Sequence, residues 1–308
     1  MGQGVGAFTP HGEFLGLPEV DLEPLQTAWR ETVTWQGSRR RLRSSHGQWG
    51  EPRPEDQDFA WLDKVATAIN DLGWDLDNTV FVSGIGCSSR IPLYIRADAL
   101  HTTHGRAIAF ASGLKLARPE LDIVVFTGDG DLGAIGGNHF INGCRRNIDM
   151  DVICINNNIY GMTGGQASIT TPHDFLSTTT PAGNREYPFD LAEIAVAAGA
   201  NYVARWTTRQ VHELTKSIKV ALEKKGCNFI EVVSQCPTNF GRRNKMADPA
   251  AMLDWFKEST VRREKSRGAE VDHVDLNLAG QITVGEFVSR DRECYQERVG
   301  VEGHGDRH

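Results

Sequence analysis

The sequence lacks long hydrophobic runs and an excess of positive charge. Among its 308 residues the longest apolar stretches, such as residues 123–126, are the length of a strand, whereas a membrane-spanning helix needs about 18 residues or more. We therefore expect no transmembrane segment. Residues 1–18 have neither the basic start nor the apolar core of a secretory signal. The net charge of −7 argues against a broad nucleic-acid-binding surface.

Closely spaced cysteines are also lacking. The six cysteines are dispersed and form no Cys-x-x-Cys motif. A chain of this size folds without disulfide bonds, so we expect free thiols and a cytoplasmic location. Apolar residues make up 40% of the chain, which is enough for a packed core and excludes disorder as the main state.

From residue 57 onward, apolar runs alternate with helix-like patterns, which predicts an α/β fold: a doubly wound, mainly parallel sheet with covering helices. The runs are nearly continuous, as strands buried on both faces require. We predict strands at 79–83, 123–127, 152–155, 202–205 and 229–233, and helices at 59–72, 105–117, 136–146, 190–198, 209–225 and 249–264. The expected organisation is an atypical arm over residues 1–52, the α/β domain over 53–240, and a charged extension over 241–308.

The second predicted strand runs directly into the sequence GDGDLG at residues 128–133, which formally satisfies the dinucleotide pattern G-x-G-x-x-G. Its carboxylates, Asp129 and Asp131, would repel a pyrophosphate unless a divalent cation stood between them and the ligand. The third strand ends in three asparagines at 156–158, where a dinucleotide-binding domain would place an acidic ribose ligand. These residues therefore favour a metal-diphosphate site.

The first strand leads into GIGCSSR at residues 84–90. Two glycines permit a tight turn, and Cys87 with the two following serines offers thiol, hydroxyl and amide groups to an anion. The same residues are equally compatible with an ordinary Gly-Ser turn that carries a buried cysteine. His104, taken alone, is compatible with an ordinary loop histidine.

A GDG motif followed 26 residues later by Asn157-Asn158 resembles the thiamine diphosphate motif. Further motifs are GIGCSSR at 84–90, HGR at 104–106, GGNH at 136–139, NIYGMTGGQ at 158–166 and CPT at 236–238. Together they resemble the beta subunit of 2-oxoacid:ferredoxin oxidoreductases, over roughly residues 53–295. The ending of the chain looks most like the 2-oxoglutarate type.

The resemblance implies a set of cofactor-binding residues. The Mg²⁺ ligands would be the side chains of Asp129 and Asn157 and the backbone carbonyl of Ile159. The diphosphate would be cradled by Gly130, Asp131, Gly161 and Met162. The rest of the cofactor site would be lined by Ile85, Gly86, Cys87, Ser88 and His104.

The resemblance also implies the reaction and its partners. Thiamine diphosphate would support the coenzyme A-dependent oxidative decarboxylation of a 2-oxo acid, with 2-oxoglutarate as the expected substrate and ferredoxin as the electron acceptor. In this family the glutamate that activates the cofactor lies on a partner alpha subunit, and the sequence offers no candidate for it. We therefore expect this chain to form half of an active site. Arg242 or Arg243 could neutralise the distal carboxylate of a dicarboxylic substrate, although an ordinary solvated surface role fits them as well.

One departure from the family concerns a [4Fe-4S] cluster, which needs four ligands, normally cysteine thiolates. Cys87 and Cys236 match two family ligands, but residues 53–57 read RPEDQ where the family has CPGCG. Three explanations stay open: an absent or altered cluster, ligands from a partner, or an atypical segment before residue 57. A cluster-free thiamine-dependent decarboxylase or acyl transferase and a non-catalytic assembly subunit are the alternative functions. A cluster role predicts that the two sulfurs lie within about 10 Å of each other.

Overall fold

The computed structural model describes residues 7–8, 14–15, 60–95, 97–263 and 281–300. The chain divides into two units, Met1–Arg53 and Pro54–His308. In the first unit the described residues form strands β1 (Ala7–Phe8) and β2 (Phe14–Leu15), which pair antiparallel. All elements that follow belong to the second unit.

The second unit contains an eight-stranded sheet and one short hairpin. The sheet strands are β3 (Thr79–Ser83), β4 (Asp98–His101), β5 (Asp122–Gly128), β6 (Met150–Asn156), β9 (Tyr202–Thr207), β10 (Cys227–Val233), β11 (Thr260–Arg262) and β12 (Ile282–Ser289). The hairpin pairs β7 (Ile159–Tyr160) with β8 (Gln166–Ala167).

The strand order is β11-β12-β9-β10-β6-β5-β3-β4. The six strands from β9 to β4 in this order are parallel, whereas β12 is antiparallel to β9 and β11 is parallel to β12. The predicted α/β fold with a mainly parallel sheet is therefore confirmed. Because the six strands share one direction, their carboxyl ends meet at a single edge.

The helices lie between the strands, as the alternating pattern predicts. They are α1 (Ala60–Leu72), α2 (Ala107–Ala117), α3 (Gly137–Arg146), α4 (Leu191–Ala198), α5 (Val211–Glu223), α6 (Pro249–Ser259) and α7 (Tyr295–Arg298). Short 3-10 helices cover Leu76–Asn78 and Ser88–Tyr94, and π-helical turns cover Gly130–Ile135 and Pro237–Gly241. Asp190 and Asp248 cap α4 and α6, where each side chain accepts a backbone N–H of the first turn.

Both faces of the sheet are buried, which explains the continuous apolar runs. On one face, Phe81 and Phe126 stack with ring centroids 5.8 Å apart. On the other, Phe140 of α3 packs against Phe229 of β10 at 4.9 Å. None of the helices among the described residues combines the length and the apolar character that crossing a bilayer requires.

Three strands of the eight-stranded sheet were not predicted from the sequence. The short edge strand β4 is mostly exposed and carries no apolar run. In β12 the pairing shifts between Glu286 and Val288, and Gly285 has a φ of 139°, so the alternation of apolar residues is broken. Helix α6 ends at Ser259, earlier than predicted, because the chain turns extended at Thr260 and enters β11.

Candidate functional site

The polar loops meet at the carboxyl edge of the parallel strands. Strand β3 lies between β4 and β5: the chain runs from β3 to β4 on one side and then returns to β5 on the other. Such a reversal of strand order opens a crevice for ligands. The loops after β3, β5 and β6 carry GIGCSSR, GDGDLG and the asparagine run. The structure therefore places the predicted motifs side by side.

Asp131 joins the loops that follow β3, β4 and β5. It is 4% exposed. One carboxylate oxygen accepts the backbone N–H groups of Gly105 at 2.7 Å and Ile85 at 3.3 Å, and it also contacts Nδ1 of His104. The other oxygen accepts the hydroxyl of Thr127 at 2.9 Å. The side chain thus fixes the relative positions of the loops after β3, β4 and β5.

Asp129 has a different environment. It is 3% exposed, and its carboxylate accepts the hydroxyls of Ser168 and Thr170, the latter at 2.7 Å, and the backbone N–H of Asn157. Burial raises the pKa of the carboxyl, and these hydrogen bonds only partly oppose the shift. Within residues 60–95, 97–263 and 281–300, no Lys, Arg or His forms an ion pair with it.

A buried carboxylate without a cationic partner is costly, and a divalent cation would remove that cost. The Asp129 carboxylate lies beside the backbone N–H of Asn157, and the side-chain Oδ1 of Asn157 accepts the N–H of Ile159 at 3.4 Å. Carboxylate, amide and carbonyl oxygens form the donor set that Mg²⁺ accepts. The residues present therefore fit a magnesium ion.

A buried ionic network underlies the asparagine turn. Asn156 donates from Nδ2 to Glu231 at 2.8 Å, and Glu231 accepts Nε of Arg205 at 2.8 Å. Arg205 also contacts Asp190. Burial opposes the charge of Arg205, but the two carboxylates outweigh it and raise its pKa. Oδ1 of Asn156 accepts the N–H of Asn158 at 3.0 Å, so the network stabilises the turn that carries the predicted metal ligands.

Tyr160 lies over the GDG turn. Its hydroxyl donates to the carbonyl of Gly130 at 3.2 Å, and a Cβ on Gly130 would stand 2.3 Å from the ring. The ring is also edge-on to His104, at 6.1 Å between centroids. Burial raises the pKa of Tyr160, with further contributions from the charges of Asp129 and Asp131. Gly130 is therefore required for the close approach of this ring.

Cys87 and Cys236 converge on Gly161. A Cβ built on Gly161 would lie 3.5 Å from each of the two sulfurs, so the sulfurs are separated by no more than twice that distance. This agrees with the expected proximity. Burial raises the pKa of the Cys87 thiol, as do the charges of Cys236 and Asp129, while the Met162 N–H opposes the shift.

In the described part of the chain, no group of three His, Cys, Asp or Glu side chains is arranged to hold a metal ion. The structure thus brings together two of the four thiolates that the family resemblance implies. Residues 53–57, which read RPEDQ where the family has its other two cysteines, lie outside the described residues.

Every predicted site residue lies in these loops at the carboxyl edge. Ser88 is buried, with its hydroxyl 3.4 Å from a Cβ on Gly128, and Gly86 has a φ of 138°. The sequence analysis missed the contributions of Thr127, Tyr160, Ser168, Thr170 and Glu231. The hydroxyl-rich stretch SITT at 168–171 could have indicated two of these residues, Ser168 and Thr170.

Comparisons with known proteins find a matching family model and several similar chains. The model of the thiamine pyrophosphate enzyme family, C-terminal TPP binding domain, matches residues 84–232. The chain is 57% identical over 227 residues to the 2-oxoglutarate synthase subunit KorB of Methanothermobacter thermautotrophicus, covering 74% of this chain and 78% of that one. It is 42% identical over 266 residues to the 2-oxoacid:ferredoxin oxidoreductase subunit beta of a Sulfolobus species, covering 82% and 86%.

Among solved structures, a similar one is 2-oxoglutarate:ferredoxin oxidoreductase from Magnetococcus marinus with 2-oxoglutarate, coenzyme A and succinyl-CoA bound. The TM-score is 0.70 at 31% identity, over 82% of this chain and 88% of that one.

Proposed function

Because this chain belongs to the family of 2-oxoglutarate synthase KorB subunits and 2-oxoacid:ferredoxin oxidoreductase beta subunits, we propose that it is the thiamine-diphosphate-binding subunit of such an enzyme. With a partner alpha subunit it oxidatively decarboxylates a 2-oxo acid, transfers the acyl group to coenzyme A and passes electrons to ferredoxin. The proposed substrate is 2-oxoglutarate, which the KorB relatives and the Magnetococcus enzyme carry in their names.

The observation that carries this proposal is the buried Asp129 carboxylate, which faces the asparagine turn without a cationic partner among the described residues. Asp129, Asn157 and the Ile159 carbonyl would hold Mg²⁺. Bound thiamine diphosphate supplies the carbanion chemistry that breaks the bond to the carboxylate.

The remaining site residues bind and orient the cofactor. The diphosphate would be held by Gly130, Asp131, Gly161 and Met162. Through its carboxylate, Asp131 keeps His104 and the Ile85 amide beside them. The other half of the site, including the activating glutamate, would come from the alpha subunit.

Cys87 and Cys236 would contribute two thiolates to a [4Fe-4S] cluster that conducts electrons to ferredoxin. The absence of Cys-x-x-Cys at 53–57 favours a second candidate, a cluster-free thiamine-dependent enzyme. Iron content and low-temperature EPR of the co-expressed alpha-beta complex separate the two, because only the first predicts a cluster signal.

The metal site is tested with two buried aspartates from opposite ends of the parallel strands. In the alpha-beta complex, Asp129→Asn should abolish Mg²⁺-dependent binding of thiamine diphosphate in calorimetry and the 2-oxoglutarate-dependent reduction of ferredoxin. Asp151, which lies at the start of β6 and is 8% exposed, is the matched control, and Asp151→Asn should retain both. Retained cofactor affinity in Asp129→Asn would remove Asp129 from the metal site.

A further inference from the structure

A cluster of unpaired positive charge follows Cys236. Arg242, Arg243 and Lys245 are exposed, and none of the three forms an ion pair with a residue that the structure describes. Only one carboxylate, Asp248, occurs between residues 241 and 253, and it caps α6. We call Arg242, Arg243 and Lys245 the cationic turn. Its charge is opposite in sign to the net charge of the chain, which is −7.

The backbone of the cationic turn is fixed. Met246 donates its N–H to the carbonyl of Gly241 at 2.7 Å, and Lys245 has a φ of 63°. The side chain of Asn244 accepts the Leu176 N–H at 2.8 Å and donates to the Leu176 carbonyl at 3.1 Å. A Cβ on Gly241 would stand 2.1 Å from the Met246 carbonyl. The three cations are therefore presented by a closed, hydrogen-bonded loop.

The cationic turn is adjacent to the paired sulfurs. The carbonyl of Cys236 accepts the N–H of Gly241 at 2.9 Å, and Arg242 is the next residue, about 3.8 Å further along the chain. Asn239, in the same turn, donates to the carbonyl of Gly161 at 2.9 Å, and a Cβ on Gly161 would lie 3.5 Å from each of the two sulfurs. The cationic turn thus directly follows the segment that carries Cys236.

We propose that the cationic turn is the docking surface for an acidic electron-carrier protein, which accepts electrons at the face of the chain marked by Cys87 and Cys236. This inference rests on the proposed function. Oxidation of one 2-oxo acid with coenzyme A yields one acyl-CoA, one CO₂, one proton and two electrons, so two one-electron carriers must dock for each turnover. Unpaired cations at the rim of such a surface accelerate encounters with an acidic partner and make them dependent on salt.

The test uses the alpha-beta complex with Arg243→Glu and Lys245→Glu, and Lys216→Glu as the control, because Lys216 is an exposed cation on α5, away from the sulfurs in the sequence. Each variant is assayed with ferredoxin and with methyl viologen, a small acceptor that needs no protein docking surface. The KM for ferredoxin should rise about fivefold or more at low salt in both turn variants and stay unchanged in the control. The difference in KM between the turn variants and the unaltered complex should disappear by about 0.5 M salt, where the Debye length is only about 4 Å.

The same assays give the contradicting results. An unchanged KM for ferredoxin would overturn the docking surface, and so would a raised KM for coenzyme A or 2-oxoglutarate with methyl viologen, which would make the turn a substrate site. Failure of the turn variants to assemble with the alpha subunit would assign the surface to that subunit instead. If the unaltered complex does not reduce methyl viologen, the proposed function itself fails, and the docking surface fails with it.

Discussion

Replacing Gly84 by alanine tests whether Asp131 is the fixed anchor of the site. A Cβ at residue 84 would lie 2.0 Å from Oδ2 of Asp131 and 2.7 Å from both Cγ and Oδ1, and these are the three nearest atoms. Asp131 cannot easily move aside, because its two oxygens accept hydrogen bonds from the loops after β3 and β4 and from Thr127. A Cβ at residue 84 therefore clashes with the Asp131 carboxylate, and moving that carboxylate breaks its hydrogen bonds.

The magnitudes follow from these contacts. Overpacking costs about 1–3 kcal/mol, and with partly broken hydrogen bonds we expect Gly84→Ala to lower the free energy of unfolding by about 3 kcal/mol. Asp131→Ala leaves buried donors unsatisfied and should cost about 3–4 kcal/mol. In the Asp131→Ala background the three clashing atoms are gone, and the φ of Gly84 is outside the left-handed region, so Gly84→Ala should then cost close to nothing. The double variant should be about 3 kcal/mol more stable than the sum of the single changes implies.

The assay is urea unfolding, followed by tryptophan fluorescence, of the wild type, Gly84→Ala, Asp131→Ala and the double variant. Gly113→Ala is the matched control: a Cβ at this position in α2 meets nothing within 4 Å, so its effect should add to that of Asp131→Ala. If Gly84→Ala and Asp131→Ala are additive within about 0.5 kcal/mol, Asp131 is not held in place as argued.

Two further predictions concern Asp151 at the start of β6 and the contact between Gly130 and Tyr160. Burial raises the pKa of Asp151 well above 3.8, so the folded state keeps this proton to a higher pH than the unfolded state, and stability falls as pH rises between the two values. Asp151→Asn removes this charge and offers a donor to the unsatisfied Oδ1 of Asn228. The variant should be about 1 kcal/mol more stable than wild type at pH 7 and equally stable below pH 3.8. Urea titrations that give the same stability difference at both pH values would contradict this. Gly130→Ala should lower the free energy of unfolding by about 1–3 kcal/mol, because the new Cβ displaces the Tyr160 ring. In the Tyr160→Ala background the same change should have no such effect. Fully additive effects in thermal unfolding would contradict this.

The strands that sequence reasoning located share one property: both their faces are buried. Residues 123–126 and 152–155 are apolar throughout, and the structure buries every one of them. Strand β12 could not be found in this way, because Gly285 and the register shift near Glu286 break its pattern. Its pairing with β9 is also set by strand order, which depends on packing across the whole sheet.

The candidate site shows the same limit. Motif spacing was enough to bring Asp129 and Asn157 together, because both follow adjacent parallel strands. The ion pair of Arg205 with Glu231 could not be foreseen, because it depends on β9 lying next to β10 with these two residues in register. Arg205 and Glu231 each lie within a predicted strand whose other residues are apolar. The pattern therefore indicated that both side chains are buried, but it did not indicate which residue pairs with which.

The three buried carboxylates of the site differ chiefly in what compensates their charge, and this difference supports the roles proposed for them. Glu231 is paired with Arg205 and therefore needs no further cation. Asp131 accepts backbone and side-chain donors from three loops, so its lone pairs are occupied by the protein itself. Asp129 has hydrogen-bond donors but no cationic partner in the described part of the chain. A buried charge is stable only when it is compensated. Asp129 is the one of the three whose charge no described residue compensates with a cation, and this supports the proposed metal site.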